Sequence, residues 1–198
     1  MIIIVATVMI GATAWLSSKI IARTQSSAHD QQATAVNQLL QQPTADSKVF
    51  LTIRGPITAK ENHYSVLIEV TQSSRKLYIY QGYDQTVVDK VELDNHPKSF
   101  ADFLLSLKNN DFAAAKQGKQ NQNDATCADG QLIQFGLDKG TQAVKHYWLA
   151  PCSGDGTFAG NASVILNLIK RQIPRAQAII NQSAPNLDGL SNRFSLQF

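Results

Sequence analysis

The chain has 198 residues, 43% of them hydrophobic, which suits one globular domain with a leader and excludes a wholly disordered protein. Its formal net charge is +3, but Lys19 and Arg23 precede every acidic residue. Without these two, the remainder carries 16 basic side chains (18 − 2 = 16) against 15 acidic ones. A body so close to neutral predicts no nucleic-acid partner.

An apolar run opens the chain, and its 17 residues from 2 to 18 hold no charged side chain. This length is at the lower end of what spans a bilayer core of about 30 Å. We expect residues 1–23 to be a transmembrane anchor whose partner is the lipid bilayer. A cleaved signal peptide and a buried core helix are the alternatives, and Ala12-Thr-Ala14 would suit a cleavage site.

The orientation of this anchor follows from two opposing arguments. Lys19 and Arg23 lie after the apolar run, and the positive-inside rule would then place the body in the cytoplasm. A cysteine pair, described below, favours an oxidising compartment instead. We therefore expect a single-pass cell-membrane protein with its C-terminal domain outside the cytoplasm, or a secreted one if the leader is cleaved.

Residues 24–47 are rich in Gln, Ser, Thr and Ala, which is typical of a polar stalk. Val36, Leu39 and Leu40 have helical spacing, so a short helix ending before Pro43 is the alternative. The remaining residues, 48–198, are predicted to form one extracytoplasmic α+β domain.

The first half of this domain has the period of strands. Apolar and β-branched runs at 48–54, 64–70, 76–80 and 86–93 are joined by short turns, which predicts an antiparallel meander. The run 76–80 places Leu77 and Ile79 on one face and Tyr78 and Tyr80 on the other. After Pro97 the period changes to 3.6, and we expect helices near 98–108 and 161–173.

A hairpin signal lies between Gly130 and Leu149. If Lys139-Gly140 is a two-residue turn, opposed residues sum to 279, and Cys127 faces Cys152 because 127 + 152 = 279. This symmetry predicts a buried disulfide with a stabilising role; two independent buried thiols are the alternative. The expected fold is thus an antiparallel meander plus a disulfide-closed β-hairpin packed with two helices, preceded by an N-terminal transmembrane helix.

The residues offer no catalytic, cofactor or metal motif. None of the four histidines, His29, His63, His96 and His146, has a partner at metal-ligand spacing, and Asn121, Asn123, Asp124 and Asp129 lack Ca²⁺-loop spacing. The most unusual stretch comprises Ser153, Gly154, Asp155, Gly156 and Thr157, before a helix capped at Asn161. Such a loop can bind an anion, and a flexible connector is the alternative.

Several short motifs carry a family resemblance: Arg54-Gly-Pro-Ile57, Arg75 with Gln81-Gly-Tyr83, Cys127-Ala-Asp-Gly130, Trp148 to Cys152, Gly156-Thr-Phe-Ala-Gly-Asn161 and Gln172-Ile-Pro174. Together they resemble signatures of a group of uncharacterised, membrane-anchored proteins of Saccharibacteria-type candidate-phylum bacteria. The resemblance extends from Arg54 to Pro174. It implies an extracytoplasmic domain in which Cys127 and Cys152 are paired, and it brings no catalytic or binding residue with it.

These observations favour a non-enzymatic envelope or surface module that binds a protein or a glycan. A pilin-like subunit is an alternative, although the first acidic residue is Asp30 and the first glutamate is Glu61, so the apolar run has no early glutamate. An envelope hydrolase with dispersed catalytic residues is the third hypothesis. We expect no cofactor.

Overall fold

The computed structural model describes residues 31–116 and 130–187. By its contacts the chain divides into residues 1–35 and 36–198. Of the first unit, residues 31–35 are described, and they are helical. The predicted anchor at residues 1–23 lies outside the described residues, and no described helix is long and apolar enough to cross a membrane.

The second unit is built on one seven-stranded antiparallel sheet in the order β4-β3-β2-β1-β5-β6-β7. The strands are β1 (Ser47–Arg54), β2 (Tyr64–Thr71), β3 (Ser74–Gln81), β4 (Thr86–Asp94), β5 (Leu132–Lys139), β6 (Gln142–Ala150) and the short β7 (Asp155–Gly156). Strands β1 to β4 are sequential neighbours, so the predicted meander is confirmed.

The helices of the second unit cover one face of this sheet. They are α1 from Val36 onward (the helix as a whole comprises residues 31–41), α2 (Pro97–Lys108), α3 (Ala162–Lys170) and α4 (Ala176–Ser183). Helix α2 begins with Pro97, which suits a first turn where an N–H would be unpaired, and α3 is capped by Asn161, whose side chain accepts from the Val164 N–H. The two helices predicted near 98–108 and 161–173 are therefore confirmed.

The core lies between the helices and one face of the sheet. Alternate strand residues point into it, as Val49, Leu51 and Ile53 do on β1, because successive side chains of a strand point to opposite faces. The helices add further apolar side chains to the same cluster, among them Leu40 and Leu104. Val36, Leu39 and Leu40 are all buried, on the part of α1 that belongs to the second unit.

The α+β class is confirmed, but the predicted arrangement within it is wrong. The hairpin is not a separate unit beside the meander, because β5 pairs along its whole length with β1, from Ser47 opposite Lys139 to Arg54 opposite Leu132. Four helices, rather than two, occur among the described residues. Long-range pairing of this kind leaves no local signal in the sequence.

The predicted hairpin register is also wrong. Lys139 lies opposite Gln142, so the turn is Gly140-Thr141, and Gly140 has φ 57°. A glycine with positive φ at the first central position is the pattern of a type II′ turn, which explains why the loop starts one residue later than predicted. A bulge at Leu137/Asp138 shifts the pairing once more, and Ile133 faces Leu149.

This register removes the cross-strand opposition on which the predicted disulfide-closed hairpin rested. Strand β6 ends at Ala150, so Cys152 lies beyond the hairpin, and its side chain is exposed rather than buried. Tyr147 and Leu149 share the inner face with Phe135, while His146 and Trp148 lie on the other face. Cys152 is not a free thiol, and Cys127 lies outside the described residues.

Candidate functional site

The sheet has a second face on which no described helix packs. The main core cluster takes its strand residues from the inner face, whereas Leu132, Trp148 and Ala150 form a small second buried cluster at the β5–β6 end of the other face. We call the other side the open face. It is formed by the outward side chains of β1 to β6, which include Lys48, Phe50, Arg54, Leu67, Glu69, Lys76, Tyr78, Tyr80, Lys90, Glu92, Gln134, Asp138, His146 and Trp148.

A chain of charged side chains crosses the open face. Lys48 Nζ lies 3.0 Å from Glu69 Oε1 on β2 and 3.6 Å from Asp138 Oδ2 on β5. The other Asp138 oxygen lies 2.6 Å from His146 Nε2 on β6, and the Phe50 ring packs edge-on against the His146 ring. Four neighbouring strands thus contribute to one network, which β-sheet register alone brings together.

The electrostatics of this network hold Lys48 in its charged form. Partial burial by itself lowers the pKa of Lys48, but the hydrogen bond and negative charge of Glu69, joined by the charge of Asp138, outweigh it and raise that pKa above its ordinary value. The lysine therefore stays a cation between two carboxylates, and it orients both of them on the face.

Two tyrosines dominate the part of the open face on β3. The rings of Tyr78 and Tyr80 lie 6.1 Å apart, centroid to centroid, and are inclined by 21°. Tyr78 donates its hydroxyl hydrogen to Glu92 Oε1 at 2.8 Å, which lowers the pKa of Glu92 and raises the pKa of Tyr78. Burial and the charge of Glu69 raise the pKa of Tyr80. Both side chains are therefore neutral phenols at ordinary pH.

The end of the open face on β1, β5 and β6 carries hydrogen-bond donors. Arg54 donates from Nη2 to Gln134 Oε1 at 3.1 Å, and Trp148 lies directly across from Gln134 on β6. The Trp148 indole N–H is buried and has no acceptor among the described residues. An unpaired buried donor costs about 1–3 kcal/mol, and an acceptor placed beside it would remove that cost.

The predicted anion loop has a different local structure from the one expected. The N–H groups of Ser153 and Gly154 donate to Ala150 O, and the N–H of Asp155 donates to the Ser153 side chain. The Thr157 N–H donates to Trp148 O, while Gly156 pairs with Leu149 in the sheet. These contacts direct the loop's amides to the protein itself. Its role as a ligand site stays a prediction.

The histidines are dispersed. His63 is buried, hydrogen-bonds to Pro56 O at 3.0 Å and stacks on Tyr83, while His96 is the N-cap residue of α2 and its side chain makes no capping hydrogen bond. His146 belongs to the open face, and His29 lies outside the described residues. So do Asn121, Asn123, Asp124 and Asp129. Within residues 31–116 and 130–187, no group of three or more His, Cys, Asp or Glu side chains could hold a metal ion.

No protein-family model, curated protein or solved structure matches this chain. The fold and the open face define a structural class of protein. It is an α+β domain with helices on one side of an antiparallel sheet and an open face on the other. Sequence reasoning missed the open face as a site. Its one signal was the alternation that placed Tyr78 and Tyr80 opposite Leu77 and Ile79.

Proposed function

We propose that this protein is a non-enzymatic binding module of the cell envelope that binds a glycan on its open face. The observation that carries the proposal is the pair Tyr78 and Tyr80, held side by side on a face that no described helix covers. A pyranose ring has an apolar side of C–H groups that packs on an aromatic ring. Tyrosine offers a large apolar surface and a polar tip, which suits recognition at a wet surface.

The polar groups of the open face support the same ligand class. Carboxylates, an amide, an imidazole and cationic groups offer both donors and acceptors, as the hydroxyl groups of a sugar require. The charges cancel: Lys48, Arg54, Lys76 and Lys90 stand against Glu69, Glu92, Asp94 and Asp138. A face without a dominant sign favours a neutral ligand over a polyanion.

We propose further that this domain acts outside the cytoplasm, tethered by the apolar segment 1–23. Cys152 is not a free thiol, which is typical of proteins in an oxidising compartment, and residues 2–18 suit a membrane anchor. We expect activity from a reporter that works only outside the cytoplasm when it is fused after Phe198. Activity of a reporter that works only inside the cytoplasm would contradict the placement.

Removing both tyrosine rings is the direct test of the glycan site. In a sedimentation assay with insoluble chitin, cellulose and peptidoglycan, we expect the full chain to bind at least one polymer. The variant Tyr78→Ala, Tyr80→Ala should bind that polymer about tenfold more weakly, since two aromatic contacts of about 0.5–1.5 kcal/mol each are lost.

The matched control is Leu105→Ala, which removes an exposed apolar side chain from α2 on the helical side of the sheet. It should bind like the unchanged chain. Equal loss in both variants, or no binding to any of the three polymers, would contradict the proposal. Hydrolysis of a polymer during incubation would instead favour the enzyme hypothesis. The His146–Asp138 pair would then be the first candidate for a base, because a carboxylate orients the imidazole and half of its side chain (49%) is exposed.

A further inference from the structure

Strand β4 forms one end of the sheet in the described part of the chain. It pairs with β3 on one side, and no described strand lies on its other side. Lys90, Glu92 and Asp94 are exposed along it, as are Val87 and Val88 nearer its start. An open strand of nine residues is a template for pairing with another chain.

Backbone N–H and C=O groups alternate in direction along β4, and this alternation determines which of them lie on its unpaired edge. The Asn95 N–H, just after the strand, donates to Ser73 O at 2.9 Å, so the odd-numbered residues point their N–H groups toward β3. The Lys90 N–H points the other way, since it donates to the Asp89 side chain. The backbone N–H and C=O groups of Lys90 and Glu92 therefore face the open edge.

We propose that β4 pairs antiparallel with β4 of a second copy of this chain, in the register centred on Val91. The edge groups of the two copies can hydrogen-bond only in registers that place even-numbered residues of one copy opposite even-numbered residues of the other. Centring on Lys90 would oppose two lysines, and centring on Glu92 would oppose two carboxylates. Centring on Val91 places Lys90 of each copy opposite Glu92 of the other, so that two complementary pairs form around one two-fold axis.

The geometry of the strand suits this register. The bulge of the β3–β4 pair lies at Ile79/Tyr80, near Val88, and leaves the stretch from Lys90 to Asp94 regular. Directly opposed residues of antiparallel strands point to the same side of a sheet. The open faces of the two copies would therefore join into one continuous surface, and a ligand spanning both would gain avidity.

One side chain competes with this pairing. Asp89 Oδ1 accepts the Lys90 N–H at 2.8 Å, and Asp89 Oδ2 accepts from Ser183 Oγ on α4 at 2.6 Å. In the dimer, the Glu92 carbonyl of the second copy takes the place of Asp89 Oδ1. Association of the two copies is therefore weaker than it would be if the Lys90 N–H were unpaired, and removing the Asp89 carboxylate should strengthen it.

Charge reversal on the full chain, followed by sedimentation equilibrium over a concentration series, tests the register. Lys90→Glu opposes two carboxylates in both symmetric pairs, and Glu92→Lys opposes two ammonium groups. Each single change should weaken association about tenfold, because two favourable cross-strand pairs become unfavourable. The double variant Lys90→Glu, Glu92→Lys restores opposite charges in this register and should associate like the unchanged chain.

Association through any other part of the chain is common to all four proteins, so the contrast among them isolates β4. Equal association of the four, or a double variant as weak as the singles, would overturn the proposal, as would a chain that is monomeric throughout the series. The variant Asp89→Ala should associate more tightly than the unchanged chain. Thermal melting of each variant verifies that the comparison is made between folded proteins.

Discussion

Replacing Phe135 by alanine is expected to lower the free energy of unfolding by about 3–5 kcal/mol. Phe135 is fully buried on β5, and its ring lies 5.2 Å from the rings of Tyr147 and Phe158 and 6.0 Å from that of Phe112. Alanine would remove these contacts and leave a cavity that the surrounding sheet and its partners cannot close. Urea denaturation followed by tryptophan fluorescence measures the change.

The matched control for this substitution is Phe50→Ala. It makes the same chemical change on the neighbouring strand β1, but on the open face, where Phe50 is partly exposed and packs against His146. We expect a loss below about 2 kcal/mol, because less apolar area returns to water. Equal losses at the two positions would show that the sheet does not separate a buried face from an open one.

Gly136→Ala is expected to cost about 2–3 kcal/mol, although it adds a single carbon atom. A Cβ at Gly136 would lie 2.5 Å from Lys145 O, 2.6 Å from His146 Cδ2 and 2.8 Å from Phe50 Cε1. The carbonyl belongs to the backbone of β6, so it cannot move away without disturbing the β5–β6 pairing. The His146 ring can move, but only by leaving Asp138 or Phe50.

The control here is Gly154→Ala, which separates crowding from backbone strain. Gly154 has φ 71°, and a Cβ at this position would have no neighbouring atom within 4 Å. Its replacement therefore costs only the strain of a left-handed alanine, about 1 kcal/mol. Thermal or urea unfolding ranks the two variants. A cost at Gly136 equal to or below that at Gly154 would contradict the close approach of β5 and β6. The NMR chemical shifts of His146 should also differ between the folded Gly136→Ala variant and the unchanged chain.

The local elements of this fold were largely determined by the sequence. Alternation on β3 separated Leu77 and Ile79 from Tyr78 and Tyr80, because the pleat of a strand imposes period two regardless of its neighbours. Apolar spacing likewise marked α2, whose Phe100, Phe103, Leu104 and Leu107 are all buried. Short turns between β1 and β4 made the meander the economical topology.

The register of the hairpin could not be predicted from local sequence signals. Its two strands were evident, but its register depended on which residue took the positive φ and on a bulge at Leu137/Asp138. Each displaces the pairing, and a shift of one residue moves every side chain to the other face. The predicted opposition of Cys127 and Cys152 rested on a register that the hairpin does not have, although Cys152 is not a free thiol.

Only the tertiary structure decided where a site could be. The pairing of β5 with β1 brings Asp138 beside Lys48, residues far apart in the chain, and completes the network from Glu69 to His146. The position of β4 at the end of the sheet has the same origin. Whether a strand's outer face is covered depends on where the helices pack. Sequence periodicity reports that a side chain points outward, whereas the packing of distant elements determines whether it meets solvent.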